Sequence, residues 1–169
     1  MTREPVLTFT EYGIYCPAGD FYIDPWRPVD RALITHGHAD HARDGVGSSL
    51  APHGALPVMR HRLGEIAIEG IAYGETRQIG GATVSFHPAG HVPGSAQIRV
   101  EVAGEIWVAS GDYKVIDDGM SEPFKPVRCH HFITESTFGL PVFRWEPQAV
   151  VAGQINDWWA GCKDAGKTA

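Results

Sequence analysis

One short stretch, residues 34–41, constrains the fold of this chain more than any other. It contains His36, His38, Asp40 and His41 within six residues, directly after an apolar run that is typical of a short buried strand. A strand that ends in a turn fixes the backbone, so the first two histidines can point one way while Asp40 and His41 point another way. This arrangement suits two metal ions a few ångströms apart. The alternative is a polar turn that happens to hold three histidines.

Two later stretches contain residues that could complete such a site. His91 lies between glycines, which would let its imidazole approach another group closely, so it is a candidate third nitrogen ligand beside His36 and His38. The alternative is a surface histidine in a loop. Asp112 follows the second strand of a predicted hairpin, where a bridging carboxylate could lie. The alternative is that Asp112 belongs to an ordinary turn, which could have the same sequence.

Four further residues are candidates for supporting roles. Asp24 ends a predicted strand, and we expect it either to orient the histidine loop as a hydrogen-bond acceptor or simply to cap a turn. Lys114 and Arg43 could position an anionic phosphate. Glu135 repeats the pattern of a strand that ends in an acid.

Alternating apolar residues, with glycine and proline between them, predict mainly short strands. These strands are predicted at residues 7–10, 13–16, 21–24, 31–35, 57–59, 83–87, 97–102 and 105–110. Short helices are predicted at residues 40–44 and 61–68, and a loop at residues 45–49. From Pro147 onward, apolar residues at three- and four-residue steps predict an amphipathic helix.

The composition is typical of a globular protein, with 43% hydrophobic and 20% charged residues among 169. The sequence lacks the ~20 consecutive apolar residues of a membrane-spanning helix, and its start does not resemble a signal peptide. Three scattered cysteines favour reduced thiols. We therefore expect a cytoplasmic protein with no membrane partner. The net charge of −6 does not indicate nucleic-acid binding by itself, although bound metal ions would cancel part of it locally.

The motifs resemble those of a known family. The pattern His36-x-His38-x-Asp40-His41, followed by His91 and Asp112 and preceded by Asp24, is similar to the ordered signature of the metallo-β-lactamase superfamily. Residues 135–139 resemble the first acidic motif of its nucleic-acid-processing β-CASP branch. Residues 15–26, 87–91, 110–114 and 134–141 are similar to bacterial ligase-associated DNA exonucleases. These in turn resemble the eukaryotic messenger-RNA 3′-end processing nuclease.

The resemblance implies an α/β (α+β) fold, the αββα sandwich of the metallo-β-lactamases. This chain would be its N-terminal part, rich in short and mostly antiparallel strands. Residues 1–145 would belong to that domain, and residues 146–169 would form a helix leading toward a β-CASP cap domain. Members of the family are about twice as long, so an N-terminal fragment is expected. The later half would supply the last metal-ligand histidine and a catalytic histidine supported by Glu135.

The resemblance also implies a ligand set. His36, His38 and His91 would bind one Zn²⁺, Asp40 and His41 would bind a second, and Asp112 would bridge both. Asp40, Asp112 and Glu135 are expected to be catalytic. Mixed nitrogen and carboxylate donors favour zinc but allow Mn²⁺, and this chain could hold one or two ions.

The leading hypothesis is hydrolysis of DNA phosphodiester bonds by a hydroxide held between two zinc ions. Such an enzyme would process DNA ends, and the resemblance alone implies an ATP-dependent DNA ligase as partner. Three alternatives remain: an RNA-processing nuclease of the same branch, a hydrolase of small esters, thioesters or lactams, and a non-catalytic zinc-binding fragment. The Glu135 motif and the helix that follows it argue against the small-substrate hydrolase.

Overall fold

The computed structural model describes residues 5–168, and their contacts divide the chain into two compact units. The first unit ends at Glu135 and the second begins at Ser136. The family domain was expected to end ten residues later, at residue 145, and that boundary stays a prediction. Among residues 5–168, neither α-helix has the length and apolar character needed to cross a bilayer.

The strands of the first unit form two sheets. The first sheet has the spatial order β1 (Thr8–Thr10), β2 (Gly13–Cys16), β3 (Phe21–Ile23), β4 (Val29–Leu33), β5 (Val46–Pro52) and β6 (Ile68–Ile71). The second sheet has the order β11 (His131–Ile133), β10 (Glu105–Ala109), β9 (Ala96–Val102), β8 (Ala82–Pro88) and β7 (Thr76–Ile79).

The strand pairing is mixed rather than clearly antiparallel. Five of the nine pairings are antiparallel, whereas β3 to β6 are parallel to one another and β11 is parallel to β10. The prediction of mostly antiparallel strands therefore holds only narrowly. Side-chain alternation identifies a strand, but the connection between two strands determines their relative direction. The long links after β4 and β5 return the chain to the same end of the sheet.

The two sheets pack face to face around the main core. Phe21 and Leu33 of the first sheet belong to the same buried cluster as Phe86, Ile98 and Val100 of the second. The other face of the first sheet packs against α1 (Leu56–Leu63), whose Met59 is buried beside Ala32, Ile34 and Ala51. Helix, sheet and sheet thus form successive layers, and the predicted α+β sandwich is confirmed.

Four local predictions were wrong. Residues 45–49 were predicted to be a loop, but β5 begins at Val46 and pairs with β4. Gly47 is required there, since a Cβ would lie 2.8 Å from the carbonyl oxygen of Asp30. Residues 57–59 belong to α1, which ends at Leu63, so neither the predicted strand nor a helix over residues 61–68 forms. Residues 40–44 form a turn instead of a helix.

The second unit contains α2 (Gln148–Asp164), preceded by Pro147 at its N-cap. The helix predicted from Pro147 is therefore confirmed. Before it, the ring of Phe138 packs edge-on against Phe143 and Trp145, with ring centroids 5.1 and 4.9 Å apart.

Candidate metal centre

The histidine loop follows β4 directly and leaves the sheet at a sharp turn. Two backbone hydrogen bonds fix the turn, since the N–H groups of His41 and Ala42 both donate to the carbonyl of His38. Gly37 allows the turn to lie against α1, because a Cβ there would overlap the side chain of Val58. His36 is fully buried, whereas His38, two residues further on, is exposed.

Four predicted ligands converge although 76 residues of sequence separate the first from the last. One donor atom each from His36, His38, His91 and Asp112 lies within 4.8 Å of the others. His91 Nε2 is 3.3 Å from His38 Nδ1 and 3.7 Å from Asp112 Oδ2, and His36 Nε2 is 3.9 Å from the same oxygen. Donors on a tetrahedral zinc ion lie ~3.4 Å apart when the bonds are ~2.1 Å long. The cluster therefore has the dimensions of a single-ion site.

The buried nitrogen of His36 tests whether these residues fit a metal ion. Its Nε2 atom has no hydrogen-bond partner among residues 5–168. A buried polar atom without a partner costs about 1–3 kcal/mol, so such atoms call for an explanation. Burial, aided by the neighbouring His41, His38 and His91, lowers the pKa of His36 to about 2. The imidazole is therefore neutral, and its Nε2 faces the cluster, where an unprotonated nitrogen could act as a metal ligand.

His41 and Asp40 lie on the other side of Asp112. His41 Nε2 is 3.4 Å from Asp112 Oδ1 and 3.6 Å from Asp40 Oδ2. The two oxygens of Asp112 thus face different groups, with Oδ2 toward His36 and His91 and Oδ1 toward His41. Burial opposes a charge on His41, but its hydrogen bond to Asp24 and the charges of Asp24, Asp112 and Asp40 outweigh burial and raise its pKa.

Asp24 supports the loop from the end of the neighbouring parallel strand, β3. Its carboxylate accepts hydrogen bonds from the Thr35 N–H at 2.8 Å, the Thr35 hydroxyl at 2.5 Å and His41 Nδ1 at 2.8 Å. Its backbone is left-handed, with φ 44°, a region where Asp is tolerated better than most residues. Asp24 thus accepts hydrogen bonds from two residues of the histidine loop, and its role in orienting a metal ligand stays a prediction.

This network also sets where two imidazoles carry their protons. The hydrogen of the Thr35 hydroxyl is donated to Asp24, so that hydroxyl can only accept from His36 Nδ1, 3.0 Å away. His41 likewise donates from Nδ1 to Asp24. In their neutral forms both rings therefore turn an unprotonated Nε2 toward Asp112. The role of Thr35 was missed at the sequence level, where the only signal was a hydroxyl residue directly before the motif.

His91 is held by the loop after β8. The Ser95 hydroxyl accepts the backbone N–H groups of His91 and Val92 at 3.1 and 3.2 Å. Gly90 has a φ of 75°, and a Cβ there would overlap the carbonyl of Lys114, so only glycine lets the two segments meet. Burial lowers the pKa of His91, although Asp112 opposes this effect. His91 is therefore neutral and able to donate a lone pair at neutral pH.

The other predicted site residues lie around this cluster. Lys114 Nζ forms an ion pair with Asp118 at 3.1 Å. Arg43 is exposed, and its Nε donates to the Asp40 carbonyl at 3.1 Å. The Glu135 N–H donates to the Ser110 hydroxyl at 3.2 Å, and the Glu135 carboxylate is close enough to favour the charged form of His91.

His130 and His131, two further histidines just before the Glu135 segment, have contacts outside the cluster. His130 Nδ1 accepts the Ile106 N–H at 2.9 Å, and the ring of His131 stacks on Trp107 with centroids 4.4 Å apart. Neither belongs to the four-residue cluster found among residues 5–168.

Comparisons with known proteins link the chain to enzymes that act on nucleic acids. No family model matches the sequence. The chain is 32% identical over 148 residues to a probable DNA ligase of Opitutus terrae, a match that covers 85% of this chain and 14% of that protein. It is 27% identical over 152 residues to the endoribonuclease YSH1 of Mycosarcoma maydis, with 68% and 17% covered. It is 26% identical over 147 residues to a ribonuclease of Thermus thermophilus, with 70% and 34% covered. The chain therefore spans only 14–34% of the length of these relatives.

Solved structures with similar folds include CmlA, a diiron β-hydroxylase from Streptomyces venezuelae. It matches at a TM-score of 0.51 and 19% identity, covering 71% of this chain and 32% of that chain. A B3 metallo-β-lactamase with an active-site glutamic acid matches at a TM-score of 0.40 and 20% identity, over 48% of this chain and 41% of that chain. At these identities the CmlA match concerns the fold alone.

Proposed function

The chain belongs to the β-CASP nuclease branch of the metallo-β-lactamase superfamily, and from this premise we propose that it builds the metal centre of a nuclease that hydrolyses phosphodiester bonds at DNA ends. The single observation that carries the proposal is the convergence of His36, His38, His91 and Asp112 around one point, with the Nε2 of a buried, neutral His36 directed into it.

The proposed ligands follow from the two sides of Asp112. His36, His38, His91 and Asp112 would hold one ion, and Asp40, His41 and Asp112 would hold the second. Nitrogen and carboxylate donors favour Zn²⁺, with Mn²⁺ as the alternative. Ions bound there would supply Lewis-acid catalysis and would acidify a coordinated water.

The chain's own residues have distinct tasks in this proposal. Asp24 holds His41 directly and His36 through Thr35, so both rings keep an unprotonated Nε2 toward the centre. Asp112 fixes the spacing of the two sides, since each of its oxygens faces a different histidine. A carboxylate that accepts a hydrogen bond from a metal-binding histidine, as Asp24 does from His41, typically contributes 10–100-fold to metal affinity or activity.

Three charged residues would act on the substrate rather than on the metal. Arg43 is exposed at the edge of the histidine loop, where its guanidinium can reach a phosphate. Lys114 would have to leave its ion pair with Asp118, so its role is the weaker of the two. Glu135 would support a catalytic histidine outside this chain, and residues 146–169 would lead to the cap that carries it.

DNA is the proposed substrate because the match to the probable DNA ligase covers most of this chain. That match also supports an ATP-dependent DNA ligase as the functional partner. RNA is the second candidate, since two of the relatives are named endoribonuclease and ribonuclease.

The proposal is tested on the longer protein that the resemblance implies, because the catalytic histidine would come from its later half. That protein, with the 169-residue chain assayed beside it, is incubated with end-labelled DNA and RNA in the presence of Zn²⁺ or Mn²⁺. We expect metal-dependent loss of nucleotides from DNA ends that is abolished by a chelator and by His38→Ala, with His61→Ala as the matched control at an exposed histidine. Activity retained in His38→Ala would overturn the proposal, as would hydrolysis of a small thioester or lactone without any nuclease activity. Cleavage of RNA but not DNA would show that RNA is the substrate. Tight binding of one zinc ion without hydrolysis would identify a non-catalytic metal-binding chain.

A further inference from the structure

The exposed half of the histidine loop is held differently from the buried half. The hydrogen bonds of Asp24 and Thr35 fix the rings of His36 and His41. They do not include His38 or Asp40, whose side chains are exposed. Within the described part of the chain, these two side chains contact only other proposed metal ligands. Their positions therefore depend on what holds the backbone of the loop.

The side chain of Arg62, in α1, is hydrogen-bonded to that backbone at two points. Its Nη1 atom donates to the Gly37 carbonyl at 2.6 Å and to the Ala42 carbonyl at 3.4 Å, and the second contact is the longer and weaker one. The two carbonyls lie on either side of residues 38–41, a segment that contains three of the proposed ligands. One guanidinium nitrogen therefore ties together the two ends of this segment.

Helix α1 packs against the loop near both of these carbonyls. Val58 lies one helical turn before Arg62 on the same face of α1, and it lies against Gly37. Met59 is buried in the same apolar cluster as Ala42. The backbone from which the Arg62 side chain extends is therefore fixed relative to the loop.

We propose that Arg62 is a positioning residue of the metal centre, which holds residues 38–41 in the conformation that lets their side chains meet the ions. A guanidinium has only hydrogen-bond donors, so it suits a pair of carbonyl oxygens, and its charge strengthens both bonds. Ordering the loop in advance lowers the cost of ordering it when an ion binds. The inference rests on the metal centre of the proposed function.

The test measures zinc affinity, by competition with a chromophoric chelator, in the longer protein that the resemblance implies. Arg62→Met keeps an apolar stem but removes the charged donors. We expect zinc to bind about tenfold more weakly, at the lower end of the range for hydrogen bonds to charged groups, because Arg62 is partly exposed to water. Arg62→Lys retains one charged nitrogen and should recover part of the loss.

Arg60→Met is the matched control for this measurement. Arg60 lies in the same last turn of α1 and is exposed, and its side chain forms no hydrogen bond to another described residue. The control should bind zinc like the wild type. If Arg62→Met does not fold, Arg62→Gln, which keeps a neutral donor, takes its place.

A second measurement does not depend on the metal. The N–H groups of His41 and Ala42 donate to the His38 carbonyl inside the segment that Arg62 ties together. In the metal-free protein, Arg62→Met should therefore make amide hydrogen exchange at these two groups about tenfold faster, because the segment opens more easily. If the wild type binds no zinc, the proposed metal centre is refuted, and the exchange rates alone decide whether Arg62 orders the loop.

Unchanged zinc affinity in Arg62→Met would overturn the proposal. A lower midpoint of thermal unfolding with that unchanged affinity would show that Arg62 only stabilises the fold. Weaker DNA binding with unchanged affinity would show that Arg62 contacts the substrate instead. Unchanged hydrogen exchange at His41 and Ala42 would also overturn the proposal, because the loop would then be ordered without Arg62.

Discussion

Replacing Asp24 with Asn tests how the hydrogen-bond network prepares the metal centre. The two residues have nearly the same shape, and Asn tolerates the left-handed backbone found here, with φ 44°. The carboxylate accepts from three donors, two of them on the same oxygen. An amide has one acceptor oxygen and one nitrogen that only donates. In the variant the amide nitrogen must therefore face a group that donates a hydrogen bond to Asp24 in the wild type.

The consequence reaches two proposed ligands. With an amide N–H opposite them, the Thr35 hydroxyl would turn to donate to His36, and His41 would move its proton from Nδ1 to Nε2. Each ring would then present an N–H to the metal instead of a lone pair. Loss of such an acceptor typically weakens metal binding 10–100-fold, which corresponds to about 1.4–2.7 kcal/mol.

Zinc affinity is measured by competition with a chromophoric chelator, and the protonated nitrogen of each ring by ¹⁵N NMR of the metal-free protein. We expect the affinity of Asp24→Asn to fall within that range while His36 and His41 become protonated at Nε2. Asp20→Asn is the matched control, since Asp20 has a φ of 50° and accepts only the Tyr15 hydroxyl at 2.9 Å among its described side-chain contacts. Unchanged zinc affinity, with both rings still protonated at Nδ1, would refute the reasoning.

Three other predictions concern stability. Gly111 has a φ of 56°, and a Cβ there would lie 2.7 Å from the Thr35 side chain. Gly111→Ala should therefore lower the free energy of unfolding, measured by urea titration, by about 2–4 kcal/mol. A loss below about 1 kcal/mol would contradict this expectation. Burial, together with Arg99 and Lys125, lowers the pKa of His87 below its ordinary 6.5. The unfolded chain therefore binds more protons as the pH falls below about 6.5, stability decreases, and His87→Gln should lessen the decrease between pH 7 and 5; identical pH dependence in thermal melts would count against it. Chelation should lower the midpoint of thermal unfolding and added zinc should restore it, but not in His38→Ala; a midpoint indifferent to zinc in the wild type would argue against the metal site.

The candidate ligands could be predicted from sequence because histidine and aspartate are common metal ligands. Three histidines as closely spaced as His36, His38 and His41 are rare outside metal sites. His91 became a candidate ligand because glycines lie on both sides of it. The contribution of Thr35 could not be predicted in this way, because threonine is common at strand ends. Its role depends on Asp24, which lies on a neighbouring parallel strand, and local sequence does not report which strands are neighbours.

The failed element predictions have the same origin. Residues 45–49 contain glycine and serine and look like a loop, but they form the start of β5 because pairing with β4 outweighs weak local preference. Residues 57–59 are short and apolar, so strand and helix could not be distinguished by periodicity. The hairpin of β9 and β10 was predictable from the alternating residues on both sides of Ala103 and Gly104, and these two residues form its two-residue turn with left-handed backbones.

The cluster draws its members from both sheets, which has a kinetic consequence for folding. His36 and His38 follow a strand of the first sheet, His91 and Asp112 follow strands of the second, and the Ala96 N–H donates to the Thr35 carbonyl at 2.9 Å where the two meet. Contacts between residues so distant in sequence form late. An ion should therefore find its full set of ligands only after the sheets have docked. In stopped-flow experiments zinc should slow unfolding and leave the refolding rate nearly unchanged. The metal would thus stabilise the folded protein without directing its folding.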